Sequence, residues 1–350
     1  MFKKVFSFFI ITIISYAEVP VCLKGKFSNQ SFHNELLSSS DKLIEEFRYA
    51  YGVKSTTGQL GCTQCSVVST GKYDLKIQTP AIPKECIQGA LLRKVGGANS
   101  YCRDNKLAGV FNGDRSGPCV TQEVVNYTSF LSSKVLNCFN SLNVGGKTIP
   151  LSASTFFSKI NAESGFNFTS NHVGGVGIGQ MTSIAIKEVN QGSARKFLRA
   201  ITKSTDTSCQ TFGNIIKEDE SVKINRSSSL RSKGTDIKNH ICEWTSLNRG
   251  VPRSMVYSLG YFAYIKSLNA NYLKKKWPKL TIDDEFLDQV SLLAYSNSGP
   301  FGMRSALKQI ISSSRSLQEM KAAINRKSYL VANKKRLQSA KKLSGGKCQI

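Results

Sequence analysis

Phe156 to Met181 reads FFSKINAESGFNFTSNHVGGVGIGQM. Phe156, Ile160 and Glu163 are spaced by four and three, so on a helix they share one face. Two of the three are large and apolar, which turns the third, a carboxylate, toward the interior. Gly165 then supplies a helix stop. A carboxylate at the C-terminal end of an apolar helical face loses solvation and meets the negative end of the helix dipole. Both effects raise its pKa. A raised pKa keeps the carboxyl protonated near neutral pH, the form a general acid needs. The loop that follows, Gly174-Gly175-Val176-Gly177-Ile178-Gly179, demands unusual backbone angles or a close approach by ligand or chain. Gln180 comes next and both donates and accepts hydrogen bonds. No lysine follows the glycines and no predicted strand precedes them, so the loop lacks the marks of a phosphate cradle.

These residues resemble the soluble lytic transglycosylases and goose-type lysozymes, whose pattern is Glu-Ser-x-Phe-Asn followed by Gly-Ala-x-Gly-Leu-Met-Gln. Here it stands as Glu163-Ser164-Gly165-Phe166-Asn167 and then Gly174 to Gln180, with Gly179 in place of the usual Met. A second family signature, Ala-Tyr-Asn-x-Gly, is similar to Ala294-Tyr295-Ser296-Asn297-Ser298-Gly299, with one residue added between Tyr and Asn. A third, aromatic signature survives only in part at Gly260-Tyr261-Phe262-Ala263-Tyr264-Ile265. The resemblance covers about residues 151–307. It implies a mainly α (α+β lysozyme-like) catalytic domain that cleaves the β-1,4 bond between N-acetylmuramic acid and N-acetylglucosamine in peptidoglycan. It also implies that Glu163 is the single catalytic acid and base, leaving 1,6-anhydromuramic ends, and that Ser164, Gln180, Tyr295 and Asn297 line the glycan cleft. A hydrolytic lysozyme of the same fold would need a positioned water and a second carboxylate. Asp283, Asp284, Glu285, Asp288 and Glu243 are the candidates, and the set from Asp283 reads more simply as the acidic first turn of a helix.

Working outward, the chain has 350 residues, 40% apolar and 20% charged, enough for a sizeable core and against disorder. Lys3 and Lys4 precede an apolar run from Val5 to Ile14, and Ser15-Tyr16-Ala17 offers small residues at −3 and −1. This predicts a signal peptide over 1–17, cleaved after Ala17, and an exported protein, periplasmic or secreted, without a transmembrane anchor. All ten cysteines lie beyond that point. An even count in an oxidising compartment reads first as disulfides, while Cys62-Thr-Gln-Cys65 also fits a redox pair or half a zinc site. Seven cysteines precede residue 150 and three follow it, so complete pairing within the chain requires a bridge across that point.

Residues 18–150 carry 15 basic and 10 acidic side chains, are rich in cysteine and turn residues, and read as a Cys-rich, loop-rich accessory region with one helix near Ser40 to Tyr49. Residues 151–350 carry 31 basic and 13 acidic side chains and read as helical. Helices are predicted over Ser152 to Ala162, over Ser183 to Ile201, after Pro252, over Asp283 to Tyr295, and from the capping box Ser316-Leu-Gln-Glu319 into a basic C-terminal helix. The polar stretch near 203–238 reads as a surface insertion tied down by Cys209 and Cys242.

The net charge of +25 is concentrated after residue 150, and from Arg304 to Ile350 there are 12 basic residues and one acid. Such a face serves an anionic polymer or simply solvates the chain. After export the partner expected is peptidoglycan, with its free carboxylates, and no nucleic acid is expected. Three scattered histidines, His33, His172 and His240, point to no metal site and no cofactor. Tyr257, Tyr261 and Tyr264 read as helix core before sugar stacking. Two rival functions are a non-catalytic cell-wall-binding protein of the same fold and a cationic protein that disrupts polymers or membranes by charge. The oligomeric state is left open.

Overall fold

The computed structural model describes residues 81–94, 122–167, 171–172, 175–190, 193–222, 244, 250–297, 299–314 and 316–350. The signal-peptide segment, the helix expected near Ser40, the Cys62–Cys65 pair, His33, His240 and Glu243 lie outside them, as do the side chains of His172 and Asn297. Among the described residues there are eleven helices and one two-stranded hairpin. The architecture is therefore mainly helical.

In chain order the elements are α1 (Lys84–Lys94), α2 (Gln122–Ser141), α3 (Ala153–Glu163), β1 (Asn171–His172), β2 (Gly175–Val176), α4 (Ser183–Asn190), α5 (Arg195–Lys203) and α6 (Thr207–Val222). They continue with α7 (Gly250–Lys276), α8 (Asp284–Asn297), α9 (Gly299–Ser313), α10 (Leu317–Asn325) and α11 (Ser328–Leu343). β1 and β2 pair antiparallel, with Asn171 opposite Val176 and His172 opposite Gly175.

α7 is the axle. Its first fourteen residues, Gly250 to Ala263, are all buried, and it touches α2, α4, α5, α6, α8 and α9. A helix apolar or small on every side has no solvent face and must be wrapped. Pro252 sits in its first turn, where a missing N–H costs nothing. Several other helix starts follow their local signals. The Ser152 hydroxyl accepts from the Thr155 N–H at 3.0 Å, Asp283 Oδ1 accepts from the Phe286 N–H at 2.9 Å, and Ser316 caps α10 through the Glu319 N–H at 3.2 Å.

Five expectations require correction. The described part of the region before residue 150 is helical, not loop-rich. α2 hides its pattern because it buries Thr128, Ser129, Ser132 and Ser133 along with Val125, Leu131 and Leu136. Two of those serines work in place: Ser129 Oγ donates to the Ile82 carbonyl at 2.6 Å, and Ser133 Oγ accepts from the Ile82 N–H at 3.2 Å. Thr207–Val222, within the stretch expected to be a polar insertion, forms α6, because Cys209, Phe212, Ile215 and Ile216 make one buried stripe at helical spacing. The helix expected from Ser183 to Ile201 divides into α4, which ends at Asn190, and α5, which begins at Arg195, and the basic C-terminal helix divides into α10 and α11 at Arg326-Lys327. Finally, Cys209 pairs with Cys138, not with Cys242.

The second described bridge, Cys86–Cys348, fastens α1 to the segment after α11. Both bridges cross residue 150. One buried cluster runs from Ile82 to Cys348, so α1 and α2 share the core of the helices that follow. Among the described residues no helix is long and apolar enough to cross a membrane.

Candidate active site

α3 delivers the carboxylate. It is buried along Phe156, Phe157, Lys159, Ile160 and Asn161, and it stops at Glu163. The Ser164 and Gly165 N–H groups close the end by bonding the Ile160 carbonyl at 3.0 and 3.2 Å. The chain then passes through two left-handed residues, Gly165 at φ 62° and Phe166 at φ 64°. A phenylalanine there is strained by about 1–2 kcal/mol. It is held by complete burial and by the Phe157 ring, 5.2 Å away between centroids.

This turn docks on the glycine loop. Ser164 is fully buried and its hydroxyl donates to the Ile178 carbonyl at 2.7 Å. It therefore ties α3 to the loop. The loop lies against two buried serines one turn apart on α7. Gly179 N–H donates to Ser254 Oγ at 3.0 Å, and a Cβ at Gly179 would collide with Ser258. Gly177, at φ +71°, would bring a Cβ within 2.6 Å of Ser254 Oγ and of the Trp244 carbonyl. The glycines are there because the loop backbone touches α7 where a side chain would otherwise stand.

Tyr295, on the last turn of α8, closes the other side. Its hydroxyl donates to the Gly179 carbonyl at 3.0 Å and lies 3.4 Å from Ser258 Oγ. Burial pushes its phenol well above the ordinary range, and the nearby charge of Glu163 pushes the same way. Gln180 has a left-handed backbone, φ 48°, and its amide nitrogen donates to the Gly177 carbonyl at 2.8 Å. It braces the loop from within. Asn297 ends α8.

Four residues at this site were not singled out in the sequence. Lys159, four residues before Glu163, is fully buried. Its ammonium donates to Ser258 Oγ and stands 4.0 Å from the centre of the Tyr295 ring. Tyr329 and Arg336 come from α11: the Tyr329 hydroxyl donates to Glu163 Oε1 at 3.4 Å, and the Arg336 charge acts on the same carboxylate. Ser258 is the fourth. The i, i+4 spacing of Lys159 and Glu163 was a usable signal. Nothing local ties residues 329 and 336 to residue 163.

Electrostatically, Glu163 is half-buried, and loss of solvation raises its carboxyl above the usual range. Lys159, the Tyr329 hydrogen bond and Arg336 oppose that shift without cancelling it. Lys159 is itself lowered to about 8 by burial, with Glu163 pulling the other way. Burial therefore favours the protonated carboxyl that a general acid needs, while the nearby positive charges ease formation of the carboxylate once the proton leaves.

The other acidic residues are engaged elsewhere. Asp283 and Glu285 meet Lys321 at 2.6 and 2.9 Å at the start of α8. Asp288 is held by Lys266 at 2.5 Å and by the Thr155 hydroxyl at 2.7 Å. Tyr257 is fully buried and Tyr261 nearly so; the Tyr261 ring lies 5.5 Å from that of Tyr295, and Glu188 of α4 raises its phenol further after burial. Among the described residues no His, Cys, Asp or Glu side chains gather as a metal site would need. No protein-family model, no curated protein and no solved structure matches this chain.

Proposed function

We propose that this protein is a peptidoglycan-cleaving muramidase of the lytic transglycosylase type, acting on the β-1,4 bond between N-acetylmuramic acid and N-acetylglucosamine. The observation that carries the reading is Glu163. It is a half-buried carboxyl with a raised pKa at the end of a buried helix, beside a glycine loop and a tyrosine held to that loop. The motif resemblance at Glu163–Asn167 and Gly174–Gln180 supplies the substrate class. Two disulfides fit the oxidising conditions such a wall enzyme meets after export.

The chemistry needs one carboxyl. Glu163 gives its proton to the glycosidic oxygen as the bond from that oxygen to the muramic C1 breaks and its electron pair goes to the oxygen. The carbonyl oxygen of the muramic 2-acetamido group closes on C1. Glu163, now ionised, takes the proton of the 6-hydroxyl, whose oxygen displaces the acetamido oxygen and closes the 1,6-anhydro ring. Each group acts first as acid or leaving group and then in reverse, so one residue suffices. The net positive charge of the chain concentrates it on an anionic wall polymer.

The test is release of soluble muropeptides from purified peptidoglycan by wild type and by Glu163→Gln. Release by the wild type and its loss in the variant is the expected result; equal release would sink the single-acid reading. Mass spectrometry of the products divides 1,6-anhydro ends, expected here, from the reducing ends a hydrolytic lysozyme leaves.

A further inference from the structure

Lys159 is a lysine where lysines are seldom found: fully buried, in a helix that is buried along most of its length. Its environment is built for it. The ammonium has the Ser258 hydroxyl as acceptor and the face of the Tyr295 ring at 4.0 Å, a cation–π contact that strengthens when both groups are dry. Tyr295 in turn holds the Gly179 carbonyl at 3.0 Å. The same helix presents Glu163 one turn later on the same stripe, and the two charges act on each other. From α11 the Tyr329 hydroxyl reaches the same carboxyl and the Arg336 charge acts on it, and Tyr261 of α7 lies beside the Tyr295 ring.

We infer that Lys159 is a positioning residue for Glu163: its buried ammonium is the counter-charge for the carboxylate that exists between proton donation and proton recovery, and it pins Tyr295 and the glycine loop beside that carboxylate. This rests on the muramidase reading only for the step it serves; the pairing itself is a property of the fold. The physical need is clear. A carboxylate formed in a desolvated site is costly unless a charge of opposite sign is already fixed nearby. A lysine held by a hydroxyl and a ring, and not locked onto the carboxylate, leaves Glu163 able to take either form.

The proposal makes two reciprocal demands, because coupling between two titrating groups is mutual. Carbon-13 NMR of the glutamate side-chain carboxyls, with Glu163 assigned by its loss in Glu163→Gln, follows the carboxyl in wild type and in Lys159→Met. Its midpoint is expected to rise by about one pH unit in Lys159→Met. The lysine side-chain resonances, with Lys159 recognised by a midpoint near 8, are followed in Glu163→Gln. There the Lys159 midpoint is expected to fall, since the charge that raises it is gone. Muropeptide release against pH adds the functional readout: the alkaline limb moves upward in Lys159→Met with the Glu163 midpoint, which a purely structural role would not cause. Should Lys159→Met fail to fold, the Glu163→Gln measurement decides alone. Unmoved midpoints overturn the proposal. Moved midpoints in a protein that releases no muropeptides leave the pairing standing and remove the muramidase reading.

Discussion

Two fully buried lysines serve carboxyls that meet the two ends of α3, and they are used in opposite ways. Lys266, on α7, is 1% exposed and in direct contact with a carboxylate. Its ammonium lies 2.5 Å from Asp288 and 2.6 Å from the Pro150 carbonyl, while the second oxygen of Asp288 takes the Thr155 hydroxyl from the first turn of α3. Lys159, at the other end, has a hydroxyl and a ring face, and the carboxyl it serves is half-buried with one long hydrogen bond of 3.4 Å. In both cases burial pushes the carboxyl upward and the lysine pulls it down. What differs is contact. A buried pair whose charges touch is committed to the fold, because breaking it strands a buried charge. A pair left loose keeps its carboxyl free to gain and lose a proton, which is the condition for acid–base work.

The comparison can be broken at either end. The largest effect belongs to the loose pair: Glu163→Gln should lower muropeptide release by about 10²–10⁴-fold, read by chromatography of the soluble products, since an amide cannot donate a proton. At the closed pair, Lys266→Met should leave release per folded molecule intact but cost about 3–5 kcal/mol in urea denaturation at pH 7. The sign of its pH dependence follows from Asp288. Without Lys266 the folded-state pKa of that carboxyl rises further above its unfolded value, so the stability deficit is greatest at neutral pH and shrinks as acid protonates Asp288. Equal deficits at neutral and acid pH would show that Asp288 is not the group left stranded.

A smaller effect is expected where the tertiary fold reaches the loose pair from outside. Replacing Cys86 and Cys348 together by serine removes the bond between α1 and the end of α11. The expected loss is about 2–4 kcal/mol, measured by denaturation with and without reductant, and reductant should then weaken only the parent. Smallest is Tyr329→Phe. It deletes one hydrogen bond to Glu163, worth about 0.5–1.5 kcal/mol, and its loss raises the Glu163 midpoint. The alkaline limb of release should therefore move upward, by less than in Lys159→Met.

Much of α3 and its surroundings was legible because the signals are short. Ser152, Asp283 and Ser316 cap helices three residues on, Pro252 marks a first turn, and Gly165 follows the last turn of α3. The inward placement of Glu163 follows from its spacing to Phe156 and Ile160. What was not legible shares one cause. α2 buries serines and threonines, which blur its apolar stripe, and the stripe of α6 is set between Thr207-Ser208 and a run of acidic residues, yet both are core helices. Lys159 fell on the same stripe as Glu163, but α3 buries polar residues such as Thr155 and Asn161 beside its phenylalanines, and a lysine in such a helix announces nothing until its neighbours are known.

What the residues determine among themselves, within a turn or two, is the helix carrying Glu163, its stop, and a loop that only glycine can make. Capping, spacing and backbone angle act over about four residues, so they can be read along the chain. The tertiary structure alone decided what surrounds the carboxyl. Ser258 reaches Lys159 across 99 positions, Tyr295 reaches Gly179 across 116, and Tyr329 reaches Glu163 across 166. Burial and charge pairing depend on which helices pack together. Here that is settled by α7 as the common axle and by disulfides joining the first described helices to later segments, Cys138 to Cys209 in α6 and Cys86 to Cys348 beyond α11.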